Sequence, residues 1–323
     1  MKPGIRVGKV LFHLIFFAGC ETFFILAFAI LLVYYGPFIQ VRDYVVSTAM
    51  GTSSNHFLAT IFLDSSKINS ITSKDKLMLG KAVEDPSQII ISGKAEGGIE
   101  VVEINEDHFT GKLLLVRDPK RIKLGLAPKL GQTGALLREI VKENKAVGGI
   151  NAGGFVDDNV MGTGGKPLGV VIDESKLIYS QSGKESFNVI GFNNDNILIV
   201  SNSMTLDEIK KSGLRYAISF GPAMIINGEP VVKSDSRILQ PRSAIGQKKD
   251  GTVMLLAIDG RQLSSKGATY EDLRNVLLKY GAYNAANLDG GSSTTLVYKG
   301  RTINNPCDIL GERSIPSAFL IMP

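Results

Sequence analysis

The chain has 323 residues, 44% of them hydrophobic, which allows one large domain or two small ones around a sizeable core. Its formal net charge is +5 at pH 7, from 36 basic and 31 acidic side chains. Residues 1–42 hold four of the basic side chains and one of the acidic ones, which leaves 32 basic and 30 acidic groups for residues 43–323. This near balance gives no support to a nucleic-acid partner, and none is predicted.

An almost unbroken apolar run covers residues 10–35, interrupted by His13, Glu21 and Thr22. The run exceeds the roughly 20 residues that a helix needs to cross a bilayer. Basic residues precede it, and such residues stay on the cytoplasmic side of a membrane. The pattern therefore predicts a single-pass signal anchor with a cytoplasmic N-terminus and an extracytoplasmic domain. A cleavable signal peptide is the alternative, although its apolar core is normally about 7–15 residues long.

The anchor and its basic tip form residues 1–42, and residues 43–84 are predicted to connect them to a domain at residues 85–323. The two cysteines are Cys20 in the anchor and Cys307 in the domain, so no disulfide can form within the domain. An extracytoplasmic domain without disulfides is typical of a surface that lacks strong oxidative folding machinery, as on some bacteria.

Short strand-like segments alternate with few helices after residue 88. Apolar residues at helical spacing predict helices over 133–144, 206–213 and 269–280. Regular strand–helix alternation is missing, which argues against a doubly wound sheet. We therefore predict an α+β fold with a mixed, largely antiparallel sheet and flanking helices, preceded by one N-terminal transmembrane helix. The predicted strands are 89–91, 99–104, 113–116, 122–124, 146–150, 168–172, 187–192, 197–200, 216–220, 223–226, 243–246, 252–258, 284–288 and 294–298.

The stretch 284–296 has the pattern of a strand, a Gly-Gly turn and a second strand. Paired glycines allow positive φ and the close approach of another backbone or a ligand. The neighbouring carboxylate and hydroxyl groups would then point into the space beside the turn. The pattern therefore favours a polar site at a strand end, with a plain β-hairpin as the alternative. The polar turn consists of Asp289, Gly290, Gly291, Ser292 and Ser293.

Other strand ends share this character. The apolar run 252–258 ends in Asp259, Gly260 and Arg261, and carboxylates at comparable strand ends are well placed to converge on one cleft. A further Gly-Gly turn spans residues 151–155, and Arg242, whose planar fork suits a phosphate, precedes another strand. Three residues after the 151–155 turn could bind a hard cation through their side-chain oxygens. They lack the full calcium-loop pattern, which favours a solvated loop. They are Asp157, Asp158 and Asn159.

Six motifs that occur in order resemble the phosphodiester glycosidase family. The resemblance covers roughly residues 85–323, and the ordered set is far more specific than any single motif. Bacterial members of this family are often labelled exopolysaccharide-biosynthesis proteins. The motifs are N-A-G-G-F at 151–155, G-P-A-M-I-I-N-G at 221–228, P-R-S-A-I-G at 241–246, A-I-D-G-R at 257–261, N-L-D-G-G-S-S-T at 287–294 and G-E-R-S-I-P at 311–316.

The resemblance implies hydrolysis of a sugar-1-phosphodiester, of the N-acetylglucosamine-1-phosphate type, to a free sugar and a phosphomonoester. Such a site needs cations for the phosphate and a carboxylate for the oxocarbenium-like centre. The carboxylate candidates are Asp289, Asp259 and Glu312, with Asp289 first as nucleophile or base. The candidates for binding the phosphate or the sugar are Arg242, Arg261, Arg313, Asn151, Gly153, Gly154, Gly290, Gly291, Ser292 and Ser293, the last four through a nest of backbone amides.

Three matters stay open at this level. The same cleft would suit a non-catalytic protein that binds or scaffolds a phosphodiester-linked wall polymer or exopolysaccharide, or a transferase with a groove beyond the sugar pocket. Asp259 and Asp289 could also serve only to satisfy turn amides or to pair with arginines. The sequence assigns no cofactor, and it leaves a requirement for a divalent cation open.

Overall fold

The computed structural model describes residues 3–50, 56–72, 78–79, 84–91, 98–156, 163–233, 238–308 and 311–323. The chain divides into two compact units, Met1–Ser73 and Lys74–Pro323. Three residues considered above as oxygen ligands, Asp157, Asp158 and Asn159, lie outside the described residues.

The first unit is helical. Leu11–Tyr35, within its first helix, is long and apolar enough to cross a membrane or to act as a signal anchor. The Tyr34 ring stacks on Phe62, and its hydroxyl donates to the Leu58 carbonyl, which ties the end of this helix to the short helices that follow. The helices in its described residues are α1 (Pro3–Tyr35), α2 (Ile39–Met50), α3 (Phe57–Thr60) and α4 (Ser65–Thr72).

The described residues of the second unit form three α-helices and many short strands. The helices are α5 (Leu137–Glu143), α6 (Leu206–Lys211) and α7 (Tyr270–Lys279). The strands are β1 (Met78–Leu79), β2 (Ile99–Asn105), β3 (Thr110–Val116), β4 (Ile122–Leu126), β5 (Gly148–Asn151), β6 (Phe155–Val156), β7 (Lys166–Pro167), β8 (Val170–Asp173), β9 (Lys176–Ser180), β10 (Ser186–Asn193), β11 (Leu198–Thr205), β12 (Leu214–Ile218), β13 (Ala223–Ile226), β14 (Glu229–Pro230), β15 (Val232–Lys233), β16 (Arg242–Gln247), β17 (Val253–Ile258), β18 (Asn284–Leu288), β19 (Leu296–Tyr298), β20 (Arg301–Thr302) and β21 (Ser317–Ile321).

Three larger sheets organise this unit. A seven-stranded sheet has the order β14-β13-β18-β16-β17-β3-β2, and two five-stranded sheets have the orders β20-β19-β5-β21-β4 and β11-β10-β12-β8-β9. Every pairing between their described strands is antiparallel. The predicted α+β fold with largely antiparallel pairing is therefore confirmed.

Two local predictions need correction. The predicted strand 89–91 is wrong, because a 3₁₀ turn at Pro86–Gln88 precedes it and Ile90 makes a single backbone hydrogen bond, to Lys249. The helix predicted from residue 133 begins only at Leu137. Its expected first turn is replaced by isolated β-bridges, which extend the backbone at Thr133 and Ala135.

The three sheets share one hydrophobic core. Leu255 of the seven-stranded sheet packs in the same buried cluster as Phe319 of β21 and Ile218 of β12. Burying apolar surface stabilises a fold by about 25 cal/mol per Å², so this shared core is the main stabilising element of the unit. A helix packs on the outer face of each sheet through fully buried side chains, Leu277 of α7, Ile140 of α5 and Ile209 of α6.

In these antiparallel sheets, the end of one strand lies beside the start of its neighbour. The last residue of β18, Leu288, pairs with Ser243, and the last residue of β17, Ile258, pairs with Arg242 at the start of β16. In the sheet that contains β5, its last residue, Asn151, pairs near the start of β21. Because strand directions alternate, turns from different motifs lie together where the strands of a sheet end or begin.

Candidate functional site

The turn after β18 lies directly against the backbone before β16. The Gly291 amide donates to the Pro241 carbonyl at 2.9 Å, and Gly291 has a φ of +62°. A Cβ at Gly290 would lie 2.9 Å from the same carbonyl oxygen. Both glycines are therefore needed for this close approach, as the sequence predicts.

The same contacts limit the predicted nest of amides. The Gly291 amide is engaged by Pro241, and the Ser293 amide donates to the Gly290 carbonyl at 3.2 Å within a 3₁₀ turn at Gly291–Ser293. These two donors already have partners within the protein, and phosphate binding by the amides of Gly290 to Ser293 stays a prediction. The candidate donors for a phosphate are therefore the amides of Gly290 and Ser292.

Asn151 joins three parts of the site with one buried side chain. Its Nδ2 donates to the Asp289 carbonyl at 2.5 Å. Its Oδ1 accepts from the Ser243 hydroxyl at 2.8 Å and from the Thr295 amide at 3.1 Å. The residue is 0% exposed. These contacts make Asn151 a positioning residue for the Asp289 turn, and its direct contact with a substrate stays a prediction.

The Gly153-Gly154 turn is shaped by close packing. The Gly153 amide donates to the Ser317 hydroxyl at 3.1 Å. A Cβ at Gly154 would lie 2.6 Å from the Phe220 ring, so this position has no room for a side chain. The Asp289 amide donates to the carbonyl of Ala152, which fixes the two Gly-Gly turns next to each other.

Asp259 is buried and holds the segment after β20. Its Oδ1 accepts from the Asn304 side-chain amide at 3.1 Å and from the Asn305 backbone amide at 2.8 Å. Burial raises the pKa of Asp259, while these two hydrogen bonds and the charge of Lys112 act in the opposite direction. The carboxylate thus has an anchoring role in this structure, and a catalytic role for it stays a prediction.

Two arginines flank the turn that follows Asp289. Guanidinium nitrogens of Arg261 lie 3.5 and 3.7 Å from the position that a Cβ of Gly291 would take, and its buried Nε has no hydrogen-bond partner among the described residues. Arg313 donates to the Ser292 hydroxyl at 3.1 Å and lies over the Phe155 ring. The turn is therefore bordered by two cations suited to an anion.

The other two charged candidates are engaged elsewhere. Arg242 is buried, donates from Nε to the Ala268 carbonyl at 3.2 Å and stacks on the Tyr270 ring at 3.8 Å. Glu312 accepts from the Thr302 hydroxyl and from the Arg138 amide. The structure thus brings Asp289, Arg261 and Arg313 together at one turn, while these contacts of Arg242 and Glu312 are with protein groups outside it.

Sequence reasoning missed several polar atoms at this edge. The hydroxyls of Thr294 and Thr295 and the Oδ1 of Asn287 are buried without a hydrogen-bond partner among the described residues. Asn287 precedes Asp289 by two positions, so the strand alternation could have pointed to its side chain. For metal binding, the described part of the chain contains no group of three or more His, Cys, Asp or Glu side chains arranged around one point.

Comparisons with known proteins identify relatives of this chain. The sequence profile of the phosphodiester glycosidase family matches residues 144–322. The chain is 27% identical over 276 residues to the SPbeta prophage-derived uncharacterized protein YomE of Bacillus subtilis (strain 168), covering 79% of this chain and 42% of that protein. It is 27% identical over 229 residues to N-acetylglucosamine-1-phosphodiester alpha-N-acetylglucosaminidase of Mus musculus, covering 62% of this chain and 43% of that protein. It therefore spans about two fifths of the length of these relatives.

Solved structures show the same fold. The catalytic domain of the zebrafish N-acetylglucosamine-1-phosphodiester alpha-N-acetylglucosaminidase superposes with a TM-score of 0.61 at 20% identity, covering 77% of this chain and 97% of that one. A hypothetical protein from Synechocystis has a TM-score of 0.51 at 18% identity, covering 69% of this chain and 61% of that one.

The buried Asn151 side chain provides a test of how the site is held. Asn151→Ala removes three hydrogen bonds and leaves buried partners unpaired, so we expect a loss of about 2–4 kcal/mol in the free energy of unfolding. Urea denaturation of the full chain in detergent measures it. The exposed Asn194→Ala is the control, with an expected change within about 0.5 kcal/mol. Equal stabilities of the two variants would contradict the positioning role.

Proposed function

Because the chain belongs to the phosphodiester glycosidase family, we propose that it hydrolyses a sugar-1-phosphodiester of the N-acetylglucosamine-1-phosphate type in cell-surface glycan or exopolysaccharide metabolism. The observation that carries this proposal is the placement of two guanidinium groups at the turn after β18, a turn whose first residue is an aspartate. Asp289 begins that turn, and Arg261 and Arg313 border it. An aspartate at the start of a turn bordered by cations suits a substrate whose reacting carbon is attached to an anionic phosphate.

In the proposed reaction, Arg261 and Arg313 bind the phosphate of the substrate. The terminal guanidinium nitrogens of Arg261 lie beside Gly291 and supply donors, and the Ser292 hydroxyl lies next to Arg313. Cations aimed at the phosphate stabilise the negative charge that develops on it as the bond to the sugar breaks. The sugar would then face the Asp289 carboxylate.

The Asp289 carboxylate can act in two ways. As a nucleophile it attacks the anomeric carbon, and water then cleaves the glycosyl ester; as a base it takes a proton from the water that attacks directly. In both routes the bond between the anomeric carbon and the phosphate oxygen breaks, and its electron pair leaves with the phosphomonoester. The two routes differ in the anomeric configuration of the released sugar.

The first test of this function replaces the proposed carboxylate. We expect Asp289→Asn to lower the rate of sugar release by about a hundredfold or more, because the amide can neither attack nor accept the proton. The assay uses the full chain in detergent with UDP-N-acetylglucosamine and measures free sugar. Asp195→Asn, on an exposed turn, is the matched control and should keep the wild-type rate.

Other outcomes of that assay would reject the proposal. Wild-type rates in Asp289→Asn would remove Asp289 from the reaction. Saturable binding of a phosphodiester-linked glycan by the wild type, without sugar release across several sugars and metal ions, would identify a binding or scaffold protein. Transfer of the sugar to a second glycan in place of water would identify a transferase.

A second test concerns the phosphate contact. We expect Arg261→Ala to lower kcat/KM for the phosphodiester by about tenfold to a thousandfold, because it removes a preorganised cation from the turn. Arg261→Lys keeps the charge without the planar fork and should restore part of the loss. The exposed Arg117→Ala is the control. An Arg261→Ala enzyme with unchanged kcat/KM would exclude this contact.

The location of the domain completes the proposal. We propose that Leu11–Tyr35 anchors the chain in the cell membrane with residues 1–10 in the cytoplasm and the second unit outside. Protease added to intact cells should therefore degrade the second unit and spare a tag at residue 1. Protection of the second unit would contradict this orientation, and a mature N-terminus beyond residue 35 would show a cleaved signal peptide.

A further inference from the structure

A cleft lies at the edge of the sheet β11-β10-β12-β8-β9. It has a volume of about 260 Å³. It is formed where β12 ends and where β8 and β10 begin. Like the proposed hydrolytic site, it therefore lies at the ends of antiparallel strands. The lining residues used below are Leu168, Lys184, Asn188, Phe220 and Gly221.

This cleft is physically joined to the turns of the proposed site. A Cβ at Gly154 would lie 2.6 Å from the Phe220 ring and 3.0 Å from a Leu168 methyl group, so the Gly153-Gly154 turn packs on the cleft wall. On another side, the Asn287 side-chain amide donates to the Gly221 carbonyl at 2.9 Å. Asn287 precedes Asp289 by two residues, so this hydrogen bond connects the cleft wall to the strand that leads into the Asp289 turn.

The lining of the cleft suits a polar, anionic ring-shaped ligand. The partly exposed Phe220 ring offers an apolar surface for the face of a sugar, and the Asn188 amide supplies both donors and an acceptor. Among the described residues that line the cleft, Lys184 is the one with a charge, and it is exposed. A volume just below the roughly 300–1,000 Å³ of drug-sized pockets fits a single sugar unit.

We propose that this cleft is a second glycan subsite, which binds an anionic sugar unit adjacent to the glycosyl phosphodiester that is hydrolysed. The proposal rests on the proposed hydrolase function and extends it, because it makes the preferred substrate a phosphodiester-linked oligomer. Phe220 and Asn188 would hold the sugar ring of the neighbouring unit, and Lys184 its phosphate. The substrate then spans from the Asp289 turn, past Gly154, to the cleft.

The experiment compares two substrates with the full chain in detergent. The short one is the methyl phosphodiester of N-acetylglucosamine-1-phosphate, and the long one contains two such units joined by a phosphodiester. We expect the wild type to prefer the long substrate by about tenfold in kcat/KM, equivalent to one charge-assisted contact. Lys184→Ala and Asn188→Ala should each lose most of that preference while keeping the rate on the short substrate within about twofold.

Lys176→Ala is the matched control, because Lys176 is an exposed lysine on β9 of the same sheet and does not line the cleft. Equal kcat/KM values of the wild type for the two substrates would overturn the subsite, as would a loss in Lys184→Ala that is the same for both. A product longer than the two-unit substrate would show that the cleft binds an acceptor, which also overturns the proposal.

Binding measurements separate this inference from the hydrolase function. If the wild type releases no sugar from either substrate, the proposed function fails, and calorimetric titration of the long substrate still tests the cleft. We expect Lys184→Ala to weaken binding of the two-unit compound by about tenfold and to leave binding of the one-unit compound unchanged. Equal affinities of wild type and Lys184→Ala for the two-unit compound would overturn the subsite.

Discussion

The buried side chain of Asn151 is the interaction on which the site depends. It connects the end of β5 to the Asp289 carbonyl, to the Ser243 hydroxyl and to the Thr295 amide. These groups come from two different sheets, which share a core but whose described strands do not pair with each other. A buried amide with several hydrogen-bond partners fixes geometry more strictly than apolar packing, because displacement leaves a donor or an acceptor unpaired. The backbone of the turn that begins at Asp289 is therefore held by a neutral residue that need not contact the substrate.

Antiparallel sheets explain why residues so distant in sequence meet here. In such a sheet, the end of one strand lies beside the start of its neighbour, so turns that are far apart along the chain share an edge. The glycines then decide how closely these turns approach, as at Gly290 and Gly291 against Pro241. The same reasoning connects the cleft beside Phe220 to the site, because the third sheet presents its edge next to Gly154. The fold thus places these turns side by side, and the turns contain the polar residues of the proposed site.

Much of this arrangement is accessible from the sequence, and the remainder depends on long-range contacts. Gly-Gly and Asp-Gly turns at strand ends have a local physical cause, so the order of residues alone is enough to locate the candidate turns. Which strands pair is not local: periodicity cannot show that β19 lies beside β5 or that the strands divide into three sheets. The same limit applies to roles, since a polar residue at a strand end, such as Asn151 or Asp259, has the same pattern whether it contacts a ligand or a neighbouring turn. The structure adds the hydrogen bonds that each of these residues makes within the protein.

The chemistry of the proposed leaving group is compatible with a reaction that uses a single carboxylate at the turn. Most glycosidases place two carboxyl groups about the anomeric carbon, one of which protonates the departing oxygen. A phosphate departs as a stable anion and needs cations more than it needs a proton. In this site the cations border the turn, while Asp259 and Glu312 make hydrogen bonds to Asn304, Asn305 and Thr302 that shape the surrounding segments. The proposed reaction thus requires a carboxylate and cations at one place, and the turn after β18 begins with Asp289 and is bordered by Arg261 and Arg313.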